Sequence, residues 1–374
     1  MKGQLTVLQR ALAALAGGFA LLALIFEFAS TEGAPLPVWE FPLAGVFLVL
    51  GALTIVRIWV RLPLFLDGAL AVLGAVALVL ALDTLQMGGP GYWFALVSTW
   101  TFAWLFVEQL AASIRAGRTP ATLGMLIPVV FGLSLVLVWE IVVRAANVPM
   151  VLLPPPSMIW TRILASVPTL AADFVQTFKA VLAGFAMGCG SGFVVAILVD
   201  RSPFLKRGLL PIGNFVSALP VIGIAPIMVM WFGFDWPSKA AVVVAMTFFP
   251  MLVNTVAGLN ASSSIERDLM RTYAASYWET LLKLRLPAAA PFIFNALKIN
   301  STLALIGAIV AEFFGTPIVG MGFRISTEVG KLNIDLVWAE IAVAAVAGSA
   351  FYGVIALIER AVTFWHPSVR GGRT

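Results

Sequence analysis

Ten runs of about twenty apolar residues, separated by short charged breaks, constrain this chain more than any other feature. They fall near residues 11–29, 41–60, 65–82, 91–112, 121–143, 180–199, 212–232, 240–259, 289–313 and 337–362. A helix rises ~1.5 Å per residue, so ~20 residues cross the ~30 Å hydrocarbon layer of a bilayer. Backbone amides find no water there, so each run must close its own hydrogen bonds as a helix. The alternating pattern of an outer-membrane barrel is absent. The expected fold is all-α, a polytopic membrane protein of about ten transmembrane helices. Composition agrees: 61% of the 374 residues are hydrophobic and 11% charged, with mean hydropathy +1.02, more apolar than a soluble domain needs. The first run follows Lys2 and Arg10. It exceeds a signal-peptide core and lacks a small-x-small exit, so it reads as an uncleaved span.

Charge sets the expected orientation. With the N-terminus inside, 16 of the 23 Lys and Arg residues fall on the cytoplasmic side, six fall outside, and Lys298 lies within a span. This bias follows the positive-inside rule and puts both termini in the cytoplasm. The net charge of +5 therefore reports orientation rather than nucleic-acid binding.

The same count places residues 268–287 inside. Ser263 and Glu266 form a Ser-x-x-Glu capping box ahead of this segment, which starts a helix. Leu269, Tyr273, Tyr277 and Leu281 recur every four residues and predict one helical face, with Arg271, Glu279 and Lys283 opposite. Pro287 is expected to close the segment by removing a backbone donor. An ordered, charged helix between two spans is a docking surface for a soluble partner; the competing reading is a helix lying on lipid headgroups.

Several chemistries are excluded. No Gly-x4-Gly-Lys-Ser/Thr occurs, so the chain has no Walker loop for ATP. Cys189 is the only cysteine and His366 the only histidine, which leaves no internal disulfide and no histidine metal cluster. No Ser-His-Asp or Cys-His set supports an enzyme.

The segment 268–287 resembles the cytoplasmic coupling loop of ABC importer permeases, whose pattern runs Glu-Ala-Ala, Gly, then aliphatic-x-Leu-Pro. Counted back from Leu286-Pro287, Asp268 takes the acidic position, Leu269-Met270 replace Ala-Ala, and Ala274 replaces Gly. Ala275-Ser276 and Trp278 match residues found in many members. The resemblance implies a six-helix type I importer core at 121–374, with its coupling helix at about 264–287, behind a four-helix membrane extension at 1–120. It implies that Asp268, Leu269, Arg271, Tyr273, Ala274, Tyr277, Trp278, Leu281 and Pro287 meet a cytoplasmic ABC ATPase. That ATPase, and not this chain, would bind ATP and Mg. It also implies a periplasmic solute-binding protein and a second permease copy, a homodimer in the bacterial inner membrane.

Other motifs fit this frame. Leu153-Pro-Pro-Pro-Ser157 is a stiff polyproline break followed by a short amphipathic helix, similar to the family's outer elbow. Pro220, Gly223 and Pro226 interrupt a span, either to line a cavity with Trp231 nearby or as kinked packing. Lys298 and Glu312 lie in one span, about 21 Å apart along its axis, too far to pair with each other. A wet cavity or other partners must offset the cost of placing them there, and the resemblance implies gating or structural roles in the translocation path. Glu27, Glu108 and Glu140 sit near span ends, and residues 315–323 read as a flexible glycine-rich loop. The branch concerned includes nitrate, sulfonate and taurine permeases. Residues 266–287 and 296–315 look most like riboflavin or pyrimidine and thiamine-precursor permeases. An ion-coupled secondary transporter is opposed by the lack of an inverted repeat, and a non-transporting scaffold by the broken span.

Overall fold

The computed structural model describes residues 6–31, 34–59, 63–84, 87–217, 220–315 and 318–365, with the backbone alone at 31, 210 and 214–217. Among them the chain forms two compact units, Met1–Trp160 and Thr161–Thr374.

The first unit begins with a capping box. Thr6 and Gln9 exchange side chain to backbone bonds of 3.2 Å, which starts α1 (Val7–Ile25). Helices α2 (Pro42–Leu53), α3 (Leu64–Leu82), α4 (Pro90–Arg115) and α5 (Leu126–Ala145) follow. Their core gathers Phe28, Phe47, Tyr92 and Phe102 with Ile141 and Ala145 of α5. The connectors add an element not expected from the runs: antiparallel strands β1 (Ala29–Thr31), β2 (Ala34–Leu36) and β3 (Met87–Gly88), in the order β2-β1-β3. Arg57 and Asp67, both fully buried, form an ion pair with Nη2 to Oδ2 at 2.7 Å. Two charges at this depth persist because each answers the other.

The second unit contains α7 (Val167–Arg201), α8 (Pro203–Ser217), α9 (Val221–Phe232), α10 (Trp236–Leu259), α11 (Ser264–Thr272), α12 (Tyr277–Thr280), α13 (Leu286–Glu312), α14 (Met321–Gly330) and α15 (Ile334–Val362); α6 (Pro156–Ala165) crosses the division. Its centre is the packing of α7 on α10. Gly184, Gly188 and Gly192 repeat every four residues along α7. A Cβ at Gly184 would stand 2.5 Å from Val243 Cβ, one at Gly192 2.5 Å from Phe248 O, and one at Gly188 would strike Thr247 Oγ1. Small residues let two backbones approach where lipid supplies no hydrophobic drive. Ala304 and Ala308 of α13 close on the same seam through Val181 and Val243.

Among the described residues eight helical runs are long and apolar enough to cross a membrane, so this is a multi-pass membrane protein. The second and seventh expected spans appear as the shorter apolar helices Pro42–Ile58 and Val221–Phe232. The seventh is shortened because Pro220 takes an extended backbone and caps α9, so that helix begins only at Val221. The compact units divide at Trp160–Thr161, whereas the resemblance implies a core that begins at 121. The reason is packing: Leu137, Val138, Ile141 and Ala145 of α5 join the core of the first four helices. Arg144 also reaches Asp83, Nη2 to Oδ1 at 2.8 Å.

Candidate functional site

Between α10 and α13 the chain is polar, and two capping boxes shape it. Ser263 Oγ accepts the Glu266 N–H at 3.2 Å, and Glu266 Oε2 accepts the Ser263 N–H at 2.9 Å. Helix α11 therefore starts where the sequence says, but it stops early. Ala275 N–H bonds Met270 O at 3.0 Å and Ala274 N–H bonds Arg271 O at 2.9 Å, with Ala274 at φ +51°. This Schellman closure favours Gly at its left-handed position. Ser276 and Glu279 then form a second capping box, and α12 begins.

The single amphipathic helix expected through Leu269, Tyr273, Tyr277 and Leu281 is thus two helices, and its stripe divides. Leu269 and Tyr273 are 56% and 79% exposed, while Leu281 is 1% exposed. Asp268 and Arg271 pair across the exposed surface at 3.2 Å. Trp278, half exposed, meets the Tyr277 ring edge-on at 5.4 Å.

Pro287 does not close the segment. Residues Leu281–Arg285 make a π-helical turn, and α13 follows with Pro287 in its first turn. A proline there forfeits no intrahelical bond that the wider turn would supply. The helical run is continuous from Tyr277 to Glu312.

A brace anchors this run. Arg285 Nη1 and Nη2 each donate to the Asp200 carboxylate at 2.7 Å, and Arg285 Nε donates to Leu259 O at 2.9 Å. Tyr277 Oη donates to the same carboxylate at 3.0 Å, and the Arg201 guanidinium stands 5.5 Å over the Tyr277 ring. Leu281 packs beneath with Leu259 and Ala289.

The residues expected along a path separate into three places. Pro220 caps α9, while Gly223 and Pro226 lie inside it and do not break it; Ala218 and Leu219 lie outside the described residues. Membrane helices tolerate an internal proline. One face of α9 packs Ala225 against Val242 and Ala311. Away from that contact, Ile222, Met230 and Trp231 are open at 64%, 83% and 70% exposure. Lys298, on α13, pairs with Glu359 of α15 at 2.7 Å rather than facing water alone. Glu312, at the far end of α13, is buried and accepts from Thr177 Oγ1 at 2.9 Å and from Gly322 N–H at 2.7 Å.

Comparison with known proteins decides the family. Residues 180–364 match the binding-protein-dependent transport system inner membrane component. A Haemophilus influenzae protein named probable ABC transporter permease protein is 30% identical over 205 residues, covering 55% of this chain and 83% of the relative. This chain belongs to that family of ABC transporter permeases. A formylaminopyrimidine transport permease of Halalkalibacterium halodurans is 29% identical over 238 residues, covering 64% of this permease and 95% of the relative. A riboflavin transport system permease of Chloroflexus aurantiacus is 29% identical over 267 residues, 70% and 97% respectively.

The permease also holds a polar cluster that residue patterns did not announce. Asp173, fully buried, accepts the Gly320 N–H at 2.7 Å and Arg324 Nε at 2.8 Å. Thr177 Oγ1 accepts the Met321 N–H at 2.9 Å. The described end of the glycine-rich loop is therefore pinned by α7 and α13, where a flexible loop was expected. Arg324, on α14 outside the spans, has its pKa raised, chiefly by the hydrogen bond to Asp173. Lys239, buried, donates to Phe234 O at 2.6 Å and to Gly315 O. Glu340, fully buried, lies against Asp173, and neither of its oxygens meets a donor among the described residues. Within the first unit, Glu140 takes the Ser157 N–H at 2.9 Å, tying the polyproline elbow to α5. Asp200 and Asp173 were legible only as acidic residues near the ends of a long apolar stretch.

Proposed function

We propose that this permease is the membrane subunit of an ATP-driven importer that brings a small flat heterocycle from periplasm to cytoplasm. The best-supported solutes are riboflavin or a pyrimidine or thiamine precursor. The segment from α11 to α12 is the surface on which the ABC ATPase docks, and that ATPase binds the ATP and Mg. A periplasmic binding protein delivers the solute, and two copies of the permease enclose the path. Residues 121–374 act as the transport core, with 1–120 as an extension, and both termini face the cytoplasm. Along the path, α9 contributes Pro220, Gly223, Pro226 and Trp231, and α13 carries Lys298 near its middle and Glu312 at its end.

One observation carries the docking reading. Helix α11 buries none of its side chains yet is capped at both ends, and it presents Ile265 at 81% exposure and Leu269 at 56% between two spans. Large exposed apolar residues on an ordered polar helix mark an interaction site. Relatives named for riboflavin and formylaminopyrimidine support the heterocycle, as do the exposed Met230 and Trp231 of α9. Relatives named for sulfonates, taurine and bicarbonate keep an anion as the second reading.

Two measurements test this. A Leu269→Asp/Tyr273→Asp permease is expected to stay folded and lose the co-purifying ATPase; undiminished recovery would refute docking. Tyr277→Asp is a poor test, because it also removes a hydrogen bond to Asp200. In cells carrying the whole system, riboflavin, a thiamine precursor or a pyrimidine is expected to compete for uptake. Competition by taurine or nitrate alone would overturn the heterocycle and leave the transporter class standing.

A further inference from the structure

The geometry points to Arg285 and Asp200 as the positioning pair that passes movement of the docking segment into the membrane helices. This inference rests on the docking reading above and adds the route by which docking is felt.

Helix α11 buries no side chain, so a pull on it cannot enter the helix bundle directly. Besides the short link back to α10 through Asn260–Ser263, its route runs forward through the turn at Ala274 and α12 into the π-helical turn Leu281–Arg285. At the end of that turn one guanidinium joins three elements. Its two Nη atoms hold Asp200 in the last turn of α7, both at 2.7 Å, while Nε holds the last carbonyl of α10, Leu259 O, at 2.9 Å. Two parallel charge-assisted bonds fix direction as well as distance, which a single hydrogen bond or an apolar contact does not. The side chains are only 12% and 5% exposed, so water does not loosen the grip. Carbonyls at a helix end have no partner inside the helix, so Leu259 O takes the Nε proton without breaking its own ladder.

The surroundings suit a joint rather than a patch of glue. Tyr277 Oη adds a third donor to Asp200 from the docking side of the π turn. Leu281, between Tyr277 and Arg285, is buried against Leu259 and Ala289. The segment from Tyr277 to Arg285 is therefore held at both ends by one carboxylate and in the middle by apolar packing. A π turn is a single wide turn often found where a helix does work, and here it lies between the exposed surface and the first residue of α13. A displacement of the docking surface then moves α7, α10 and α13 together. α7 and α10 are also the pair locked by Gly184, Gly188 and Gly192.

The test uses the complex of the full-length permease with the ATPase that co-purifies with the wild type. Single cysteines at Ile222 and Met230, both exposed on α9, report accessibility to an impermeant maleimide with and without ATP and vanadate; native Cys189 is buried and stays silent. Arg285→Gln is expected to assemble and hydrolyse ATP within about threefold of wild type, while the ATP-dependent change in labelling falls about fivefold or more. Arg285→Lys, which keeps the charge and loses the fork, is expected to fall between. The exchange Asp200→Arg/Arg285→Asp is expected to recover at least about half of the change, as coupled partners do in a double-mutant cycle. An Arg285→Gln complex with a full labelling change overturns the proposal, and so does one that loses labelling change and hydrolysis in equal proportion. If Arg285→Gln does not assemble, the exchanged pair decides: assembly restored without the labelling change also overturns it. Failure of the docking reading looks different, since Leu269→Asp/Tyr273→Asp would then keep its ATPase.

Discussion

Lys298 Nζ stands 2.7 Å from Glu359 Oε2, joining α13 to the last third of α15. Each side chain keeps under a fifth of its surface exposed, at 19% and 17%. Removing one partner strands the other charge near lipid. Lys298→Met is therefore expected to lower the Tm of the purified permease, at a cost below the ~3–5 kcal/mol of a fully buried pair. The double change Lys298→Met/Glu359→Leu should recover most of that loss. A double variant less stable than the single one would show that the charges are not partners.

Ala274 takes a left-handed backbone at φ +51°. An L-residue there costs about 1–2 kcal/mol, which glycine avoids. Ala274→Gly is expected to raise the Tm slightly and leave ATPase binding unchanged, whereas Ala274→Val should lower it. Loss of stability in Ala274→Gly would contradict the Schellman closure.

The α7 glycines make a steric prediction. Gly188→Val has no room beside Thr247 and Val244, while Gly190 faces open space. Overpacking a tight seam costs typically ~1–3 kcal/mol or more. Gly188→Val should reduce the yield of monodisperse protein, and Gly190→Ala should not. Equal yields would mean that α7 and α10 are not so close.

Glu340 meets Asp173 without a donor for either of its oxygens among the described residues. An amide supplies one, so Glu340→Gln is expected to hold or raise the Tm. Asp173→Asn has the opposite effect, because Gly320 N–H and Arg324 lose a charged acceptor. Its cost is expected near ~2–4 kcal/mol. The reverse order of melting would contradict the arrangement.

A chain beginning near Arg118 would keep the proposed core and lose the partners of α5, among them Asp83, which binds Arg144. It is expected to retain the co-purifying ATPase and to melt lower than the full-length permease. Melting unchanged by the truncation would mean that α5 draws nothing from α3 and α4.

Much of this architecture was legible because lipid leaves a chain few choices. Apolar runs located the spans, and the Ser263–Glu266 box located the start of α11. The break after Thr272 was also written in the sequence, as a second Ser-x-x-Glu at Ser276 and Glu279. A four-residue repeat hid it, since Leu269 and Tyr277 share a spacing without sharing a helix. Pro287 misled because a proline ends a helix only when its N–H is needed. Asp200, Asp173 and Arg285 could not be read. Their meaning lies in partners 85 and 151 residues away, and near a span end a lone charge looks the same whether it meets headgroups or a buried arginine.

The central claim is that α11 faces the cytoplasm and carries the ATPase. Ile265 is 81% exposed on that helix, so a cysteine placed there tests it directly. In inverted membrane vesicles an impermeant maleimide is expected to label Ile265→Cys at once, and prior addition of the co-purifying ATPase should block the label. Labelling from the outer face of intact cells, or labelling in inverted vesicles that the ATPase leaves untouched, would contradict the account.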